Sequence, residues 1–453
     1  MRIIVVGAGP TGLFTAVALA RRGHHVLVLD RDNGPSSLGH WPRRSVMQFE
    51  HAHTFRGPVV DALTSEIPDA LRDMRHAGAD IVVAADGEPL ALRIRRMTFE
   101  RVLRDIAARQ ADLTLLPGHN VKALMHAGGR VVGVQTRTER LTADLVVDAS
   151  GRSGRVTRHL LGPGEGGPCA AMYVTRQFRL KTGSGPMNSP VGLSLSLEGY
   201  FAVAFVHEDR HFSITLTHGG TDRRLQLLRE PAVFEVAVRA IPALSVWAEP
   251  GRAEPVSAVL PGGRLYNTYR SQVAADGRPC APGLIAVGDS VCTTTPLAGR
   301  GVTLAFLQAR ALVDILVEHH YDIDTAAIDF DRWCRTHVRP WFTDHVRTDN
   351  DRIRRWAGGD VHLDRPLPSD LVVAAAAVDP VLRPAVSAYE RMSALPSSLD
   401  AVQERARSVY ATGWRPPSAS GPTAAELAVL CQTVGGSELP AAWCATGQER
   451  CPA

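Results

Sequence analysis

The sequence predicts an α/β fold with a parallel sheet, an inserted antiparallel sheet and a C-terminal helical region. Three observations support this prediction. A strand–glycine turn–helix–strand pattern occupies Met1–Asp30, a second strand–glycine loop–helix pattern begins at Leu284, and short alternating runs fill residues 162–267. We therefore expect a parallel-sheet domain built from two separated stretches, with an antiparallel domain inserted between them.

The first strand is predicted over Ile3–Val6, where apolar residues follow one another without polar alternation. Such a run is typical of a parallel strand buried on both faces. A helix is expected over Leu13–Arg22, Gly23 ends that helix, and a second buried strand over Val26–Leu29 ends on Asp30.

The turn between this strand and its helix reads GAGPTG at residues 7–12, a GxGxxG motif. Gly7 permits a tight turn, Gly9 lets a pyrophosphate approach the backbone, and Gly12 allows close packing of helix and sheet. The unpaired amides of the helix start favour negative charge, and Asp30 can accept hydrogen bonds from an adenosine ribose. The stretch therefore predicts a Rossmann-like dinucleotide site, FAD or NAD; a glycine turn that serves packing alone is the alternative.

A long loop is predicted next, over residues 31–56. Side-chain donors crowd there: Trp41, Arg43, Arg44, Gln48, His51 and His53. Loops of this kind often bind ligands, so we expect contacts to a cofactor or substrate, with loop filler as the alternative. The two histidines lack further ligands at metal-binding spacing, so no metal site is predicted.

Two helices and two strands are expected to follow, over Val59–Ile67, Thr98–Gln110, Ile81–Ala85 and Leu113–Leu116. Arg96, just before the second helix, meets cofactor phosphates or ribose in one interpretation and is a surface arginine in the other. A hairpin is predicted over Val121–Arg137, with its turn at Gly128-Gly129. A buried strand then ends on Asp148, before a turn containing Gly151, as at the edge of a parallel sheet where ligands collect.

The inserted sheet is predicted from four short runs separated by Gly, Asn and Asp: Met172–Leu180, Gly192–Leu197, Tyr200–His207 and His211–Leu216. An antiparallel sheet with one free face can wall a substrate pocket. Leu225–Ile241 is expected to be helical.

The late pattern comprises a strand over Leu284–Asp289, a glycine-rich loop up to Gly301 and a helix over Val302–His319. Glycines on both sides of Arg300 are difficult to explain by packing alone, although a plain βα crossover remains the alternative. Residues 325–412 are expected to be helical, with a Pro/Ser/Gly-rich stretch and a short helix after them.

Composition excludes several classes of protein. The 453 residues carry a net charge of +4 without a Lys/Arg block, so a nucleic-acid partner is not expected. Seven scattered cysteines without a CxxC pair indicate reduced thiols and a cytoplasmic location. Neither a secretory leader nor an apolar run of the ~20 residues that span a bilayer is apparent.

Taken together, the motifs resemble those of the FAD-dependent monooxygenase superfamily built like p-hydroxybenzoate hydroxylase. That family has GxGxxG, then a middle Asp-Gly motif, then Gly-Asp followed by Pro-x-x-Gly-x-Gly. The matching residues here are Gly7, Gly9, Gly12, Asp148, Gly151, Gly288, Asp289, Pro296, Gly299 and Gly301. The resemblance covers about the first 350 residues and favours FAD over NAD.

Within the superfamily the chain is similar to a bacterial branch that includes the flavin epoxidases of polyether biosynthesis, which are similar to squalene epoxidase. The shared W-x-R-x-x-V-x-Q-x-x-H-x-H pattern comprises Trp41, Arg43, Val46, Gln48, His51 and His53. Asp30 replaces the usual Glu, and Arg300 replaces the usual Gln between the last two glycines.

The resemblance implies the site residues. The glycines of the first turn hold the pyrophosphate, and Asp30 holds the adenosine ribose. Asp289 binds the ribityl or pyrophosphate part of FAD, and Pro296, Gly299 and Gly301 line the flavin ring. The expected cofactor contacts are Gly7, Gly9, Gly12, Asp30, Arg31, Arg43, Gln48, Arg96, Asp148, Gly288, Asp289, Pro296, Gly299 and Gly301. His53 and Arg300 are the candidate catalytic residues on the active-site side of the flavin. The expected domains are 1–160 and 281–350 for FAD, 161–280 for substrate, and 351–453 as the C-terminal helical region and tail.

The implied reaction is monooxygenation. A flavin hydroperoxide would transfer one oxygen atom to an apolar polyketide, terpenoid or aromatic substrate, by epoxidation or hydroxylation. Three alternatives share the FAD modules: a reductase of isoprenoid double bonds, a halogenase, whose W-x-W-x-I-P signature is absent here, and a cyclase in which FAD does no redox chemistry. The electron source is open, since no second strand–GxGxxG–helix unit for a separate NAD(P)H domain is apparent. NAD(P)H either reduces FAD directly or acts through a separate flavin reductase.

Overall fold

The structure is a computed structural model that describes residues 1–36, 41, 43, 46–154, 156–162, 164–184, 192–263 and 265–436. Arg44, Trp443, Cys444 and Cys451 lie outside these residues. The chain divides into two compact units. Unit 1 comprises residues 1–170, 207–209 and 264–416, and unit 2 comprises residues 171–206, 210–263 and the chain from residue 417.

Strands and helices are numbered in chain order within the described residues. The strands are β1 (Arg2–Val6), β2 (His25–Asp30), β3 (Phe55–Arg56), β4 (Asp80–Val83), β5 (Pro89–Arg93), β6 (Leu113–Pro117), β7 (Ala123–Ala127), β8 (Arg130–Gln135), β9 (Arg140–Thr142), β10 (Leu145–Asp148), β11 (Glu165–Pro168), β12 (Ala171–Leu180), β13 (Gly192–Leu197), β14 (Tyr200–Val206), β15 (His211–Gly219), β16 (Ala253–Pro255), β17 (Leu260–Gly262), β18 (Tyr266–Tyr269), β19 (Leu284–Ala286) and β20 (Cys292–Thr293). The helices are α1 (Pro10–Ala20), α2 (Gly57–Glu66), α3 (Pro68–His76), α4 (Arg96–Arg109), α5 (Pro231–Arg239), α6 (Pro242–Ser245), α7 (Gly301–Glu318), α8 (Ile323–His337), α9 (Arg339–Trp356), α10 (Ser369–Ala375), α11 (Arg383–Glu390), α12 (Gln403–Ala411) and α13 (Ala424–Gly435).

Unit 1 is organised around a parallel sheet with the strand order β19-β10-β1-β2-β6. Its register pairs Val6 with both Leu29 and Asp148, and Asp148 with Ala286. The carboxyl ends of four strands therefore meet at one edge, where ligands of open α/β sheets bind. The predicted α/β fold with a parallel sheet is confirmed.

Both faces of β1 are buried, as its unbroken apolar sequence predicted. Ile3 and Val5 pack into the cluster that contains α1, α4 and α7, whereas Ile4 and Val6 pack with the hairpin β7–β8. The hairpin turn lies at Gly128 and Gly129, both at positive φ. Helix α1 begins at Pro10 rather than at Leu13, because Gly9 is its N-cap and proline fits the first helical position.

Unit 2 contains a six-stranded antiparallel sheet whose main order is β13-β14-β15-β12-β16, with β17 also paired to β12. Helices α5, α6 and α13 cover one of its faces through Phe212, Ile214 and Leu216 of β15. The predicted helix over Leu225–Ile241 is wrong in part. A 3-10 helix over Arg223–Arg229 precedes α5 at Pro231, because proline has no N–H to continue the earlier turn.

The helices from α9 to α12 form a further apolar cluster of unit 1 around Trp341, Leu371, Tyr389 and Tyr410. Cysteines 169, 280, 292, 334 and 431 are free thiols. Within the described residues, no group of three or more His, Cys, Asp or Glu could hold a metal ion. Among the same residues, no helix has the length and apolar character that membrane crossing requires.

Candidate active site

Each glycine of the first turn meets a different environment. Gly7 has φ +108°, and an added Cβ would lie 2.5 Å from the backbone oxygen of Ala149. A Cβ on Gly12 would lie 1.9 Å from the oxygen of Gly7, whereas a Cβ on Gly9 would meet nothing within 4 Å. Gly7 and Gly12 thus close the turn against the chain, and Gly9 leaves open the surface through which a pyrophosphate would approach.

Helix α1 starts without a side-chain cap. Gly9 is the N-cap, Pro10 takes the first position, and the first turn contains no acidic residue. The amides of this turn and the helix dipole therefore remain available to negative charge. A diphosphate is the kind of ligand that this arrangement attracts.

The buried carboxylate of Asp30, at the end of β2, is shared by three donors. Its Oδ2 accepts from the Ala8 amide at 2.8 Å and from Nη2 of Arg43 at 2.9 Å. Its Oδ1 accepts from the Asp32 amide at 2.8 Å. Because a carboxylate oxygen accepts about two hydrogen bonds, Oδ1 can also receive a ribose hydroxyl. Asp30 therefore fixes the glycine turn and orients Arg43 while it keeps an acceptor for the cofactor.

A chain of buried ion pairs continues from Arg43. Its guanidinium pairs with Glu100 on α4, and Glu100 also accepts from Nε of Arg96 at 2.5 Å. Burial alone would lower the pKa of Arg43, but Glu100 and Asp30 hold that pKa above its ordinary value. One fully buried carboxylate thus orients Arg43 and Arg96, two of the three arginines expected at the cofactor. Sequence reasoning missed Glu100, for which the i,i+4 spacing from Arg96 is the only signal.

His53 ends this chain as a neutral ring. Nη1 of Arg96 lies 3.0 Å from Nε2 of His53, and Nδ1 lies 2.9 Å from the backbone oxygen of His51. Since arginine is only a donor, Nε2 accepts and Nδ1 carries the proton. Burial and the charge of Arg96 hold the pKa of His53 well below its ordinary value. The catalytic role of His53 stays a prediction, and this geometry favours a neutral hydrogen-bonding ring over an imidazolium acid.

Asp148 of the middle motif points into the protein. Its carboxylate accepts from the Ser150 amide at 2.9 Å and from the Thr157 hydroxyl, and it is fully buried. These bonds shape the turn that contains Gly151, against which Gly7 packs. The structure thus shows Asp148 fixing the neighbouring turn, and a direct contact between its carboxylate and the cofactor stays a prediction.

The late strand–loop–helix unit meets the early one at Gly288. This residue has φ +70°, and an added Cβ would lie 3.2 Å from Cγ2 of Thr11 in the first turn of α1. Its amide donates to Oε1 of Gln308 on α7 at 3.0 Å. Burial raises the pKa of the Asp289 carboxyl, although the charge of Arg96 opposes this. Gly288 therefore lies beside the first turn of α1, and contacts of Gly288 and Asp289 with the cofactor stay a prediction.

Residues 295–301, hereafter the late loop, begin at a buried hydrogen-bond network. The Thr295 amide donates to Oδ1 of Asn267 at 2.8 Å, and its hydroxyl donates to Oδ2 of Asp349 at 2.7 Å. Nδ2 of Asn267 donates to the same Asp349 oxygen at 2.9 Å. Sequence reasoning missed Asn267 and Asp349, since neither belongs to a motif.

The rest of the late loop is closely packed. Pro296 opens a 3-10 turn, and Gly299 follows at φ +62°, where an added Cβ would lie 2.8 Å from Oγ1 of Thr54. Gly301 begins α7, which has neither a side-chain cap nor an acidic residue in its first turn. A second uncapped helix start therefore follows the late loop.

The candidate catalytic residue Arg300 contacts the C-terminal helices. Its Cζ lies 4.7 Å from the ring centroid of Trp341 and 4.3 Å from that of Tyr389. Nη1 lies 3.3 Å from Oδ2 of Asp344. A catalytic role for Arg300 stays a prediction, and the structure shows its guanidinium held by α9 and α11.

Two expected contacts lie at the edge of this assembly. Arg31 is exposed directly after β2. Gln48 is half-buried in the turn at residues 47–50, where its carbonyl accepts from the His51 amide at 3.2 Å. A contact of either side chain with the cofactor stays a prediction.

The residues present fit FAD. The open surface at Gly9 and the uncapped start of α1 suit its diphosphate, and Oδ1 of Asp30 suits its ribose. Arg43 and Arg96 are held in place by Glu100. The uncapped start of α7 suits the negative charge of a reduced flavin ring.

A cavity of about 650 Å³ lies beside β11 and β18 of unit 1. Its lining includes Arg158, Tyr266 and Arg270, together with the glycines of β11. Burial and the neighbouring Arg158 lower the pKa of Arg270, yet its guanidinium remains charged at neutral pH. Two arginines and one carboxylate, Glu165, line the cavity, and Glu165 pairs with Arg339. The two arginines therefore remain to attract an anionic ligand.

Comparison with known proteins agrees with this geometry. Residues 2–157 match the family model described as FAD dependent oxidoreductase. Protein Rv3254 of Mycobacterium tuberculosis is 25% identical over 346 residues, 68% of this chain and 71% of that protein. Kynurenine 3-monooxygenase of Salinispora tropica is 27% identical over 357 residues, 70% of this chain and 73% of that protein.

Among solved structures, the flavin-dependent brominase Bmp2 has a similar fold, with a TM-score of 0.61 at 12% identity over 91% of this chain and 100% of that chain. At this identity the likeness concerns the fold alone. The family match over residues 2–157 and the similarity to kynurenine 3-monooxygenase support an oxidoreductase enzyme that uses FAD.

Proposed function

We propose that this oxidoreductase is a monooxygenase that inserts one oxygen atom into an apolar small molecule, by epoxidation or hydroxylation. The uncapped start of α7 carries the proposal, because its dipole would stabilise negative charge on the flavin ring where the late loop meets it. Similarity to kynurenine 3-monooxygenase over 70% of the chain supports the same class of reaction.

In this proposal the bound FAD, once reduced, supplies the oxygen-activating chemistry. The residues of this chain bind and orient the cofactor. Asp30 and the first glycine turn hold the adenosine diphosphate end, while Glu100 keeps Arg43 and Arg96 in place. The neutral ring of His53 accepts a hydrogen bond from Arg96 and adds no positive charge.

The sheet of unit 2 is our candidate for the substrate surface. Antiparallel partners share a face, so the face opposite the helices carries the rows Phe201–Thr217–Tyr173, Val203–Thr215–Thr175 and Phe205–Ser213–Gln177. The hydroxyls of Thr175 and Thr215 are hydrogen-bonded to each other at 2.8 Å. Aromatic rings next to short hydroxyls suit an apolar polyketide, terpenoid or aromatic molecule with few polar groups, as in the epoxidase-like branch.

The cavity beside β11 and β18 supports direct reduction by NAD(P)H, because Arg158 and Arg270 would attract the phosphates of that nucleotide. Stopped-flow mixing of the holoprotein with NADPH alone tests this, and we expect loss of the flavin absorbance. If the absorbance decays only after a flavin reductase is added, the separate-reductase route is correct instead.

Turnover under ¹⁸O₂ tests the proposed reaction. The purified holoprotein is supplied with NADPH or a flavin reductase and with a panel of aromatic and polyene compounds. We expect a product that contains one heavy oxygen atom and forms only with oxygen present. Product formed without oxygen, or without heavy label under ¹⁸O₂, would show that the reaction is a reduction or a cyclisation.

A further inference from the structure

We propose that the C-terminal helices clamp the late loop in its cofactor-binding shape, and that Arg300 is the positioning residue of this clamp. Arg300 would then act through the loop and would not touch the substrate. The inference rests on FAD lying against the late loop, and it goes beyond the proposed oxygen insertion.

The first arm of the clamp is the guanidinium of Arg300, which directly precedes α7. It packs on the rings of Trp341 and Tyr389 and pairs with Asp344, a carboxylate that also accepts from the Tyr389 hydroxyl at 2.6 Å and from Ser369. Arg300 is 5% exposed and Asp344 is 8% exposed. A guanidinium held by a planar ring pair and a buried acid has little freedom, so the backbone of the loop at residue 300 is fixed.

The second arm is the guanidinium of Arg56, which bonds to the middle of the loop. Nη2 of Arg56 donates to the Ala298 carbonyl at 2.9 Å, and Nη1 donates to the Glu390 carbonyl at 2.6 Å. Burial and the charge of Arg300 lower the pKa of Arg56 to about 10, so it stays protonated at neutral pH. Arg56 therefore links the middle of the loop to the last residue of α11, next to Tyr389.

The third arm fixes the start of the loop. Asp349 on α9 accepts from the Thr295 hydroxyl at 2.7 Å, and its other oxygen accepts from Nη1 of Arg352 at 2.9 Å. Helix α9 therefore contacts the loop at both ends, through Asp349 at Thr295 and through Trp341 and Asp344 at Arg300.

The alternative is that Arg300 acts as a charge on the flavin ring. The two roles differ in what removal of Asp344 does. Without its acid, Arg300 presents more net positive charge, so a direct charge would act more strongly in D344N than in the wild type. In the clamp, D344N loosens the same arm that R300Q removes, and both substitutions act in the same direction.

The test uses the holoprotein variants R300Q, D344N and Y389F, with R310Q as the matched control. Arg310 is an exposed arginine of α7 that lies 3.9 Å from Asp314. The rate of FAD release, followed by flavin fluorescence, the visible spectrum and the reduction potential of bound FAD are measured together with thermal unfolding. No turnover is required, so failure of this inference is distinct from failure of the proposed reaction.

We expect R300Q and D344N to release FAD roughly ten times faster, in line with the loss of a desolvated cation–π or ion-pair contact, and to change the flavin spectrum alike. Y389F should change the rate of FAD release and the flavin spectrum in the same direction but to a smaller extent. R310Q should match the wild type in both measurements. The double variant R300Q/D344N should regain thermal stability, because no buried charge is left unpaired, but not FAD retention.

Two results would overturn the clamp. One is a reduction potential that shifts in opposite directions in R300Q and D344N while FAD release is unchanged. The other is FAD retention in R300Q/D344N that recovers along with stability, which would make Arg300 a structural residue only. If R300Q does not fold, the rate of FAD release from the double variant and from Y389F decides whether the clamp holds.

Discussion

The two glycine-rich turns at the cofactor edge are held in different ways. The first turn, residues 7–12, is fixed by backbone contacts and by Asp30, all within a short stretch and its neighbouring strand. The late loop, residues 295–301, is fixed by side chains from Arg56, Asn267, α9 and α11.

The shapes of the two turns therefore depend on different interactions. A glycine turn works because side chains are absent, so its shape follows from local sterics. The late loop works because buried polar groups converge on its amides and carbonyls, so its shape depends on the tertiary fold. Substitutions in the two turns should therefore weaken FAD binding for different physical reasons.

The largest effect is expected from Gly12→Ala in the first turn. The new Cβ would lie 1.9 Å from a backbone oxygen that cannot move aside, so we expect more than ~3 kcal/mol of destabilisation and loss of bound FAD. Thermal unfolding and the FAD content measure this. Gly9→Ala, whose Cβ meets open space, should unfold like the wild type and lose FAD only. A Gly12→Ala protein with normal FAD would remove the steric argument.

Glu100→Gln tests the ion-pair chain that borders the first turn. The buried Arg43 and the partly buried Arg96 would lose their shared carboxylate. Because Arg43 keeps its pairs with Asp30 and Asp32, we expect a loss of up to about 3 kcal/mol, the lower end of the cost of breaking a buried pair. Chemical denaturation measures the free energy of unfolding. The control is Asp69→Asn, whose partly exposed pair with Arg21 at 2.8 Å should contribute below ~1 kcal/mol. Equal effects of the two substitutions would contradict the buried chain.

Asn267→Ala should damage the late loop without a steric clash. The Thr295 amide would lose its acceptor in a buried place, which costs about 1–3 kcal/mol. FAD release from the holoprotein should accelerate, as measured by flavin fluorescence. Asn350→Ala, at an exposed position of α9, is the control. Unchanged FAD release in Asn267→Ala would mean that this network does not shape the loop.

The smallest effect is a pH dependence of stability that arises from His51, which lies near Arg96. Burial and Arg96 lower the pKa of His51 from 6.5 to about 4. As the pH falls below 6.5, the unfolded chain takes up a proton that the folded chain refuses, so stability is lost, by about 1 kcal/mol between pH 6.5 and 5.5. In His51→Asn this part of the loss should disappear, while the two proteins should show the same slope near pH 7.5. If the stability of His51→Asn falls with pH below 6.5 as steeply as that of the wild type, the proton uptake belongs to another group.

The strand–turn–helix–strand stretch at Met1–Asp30 could be predicted from sequence because its determinants are contiguous. Strand, glycines, helix and Asp30 follow one another, and the structure places them as expected, apart from the early helix start at Pro10. The late loop could be predicted only as a motif. Its supports, such as Asn267 and Asp349, are single polar residues without a pattern, and only the fold brings them together.

Arg300 shows the limit of motif reasoning most clearly. Two flanking glycines predicted that its side chain serves a function, but they carry no information about direction. The partners that decide the direction, Trp341, Asp344 and Tyr389, come from helices whose sequence spacing predicts helix and burial but not contact with residue 300.

The strand order of the parallel sheet sets the timing of assembly. β1 is synthesised before its neighbour β10, which begins at Leu145, and the next strand, β19, begins at Leu284. Pairings over such separations close slowly, and domains of nascent chains wait for them. Until β19 arrives, the edge of β10 is an unpaired strand that another chain can join. Exposure of that edge during synthesis should therefore last as long as the ribosome needs to make the chain between β10 and β19.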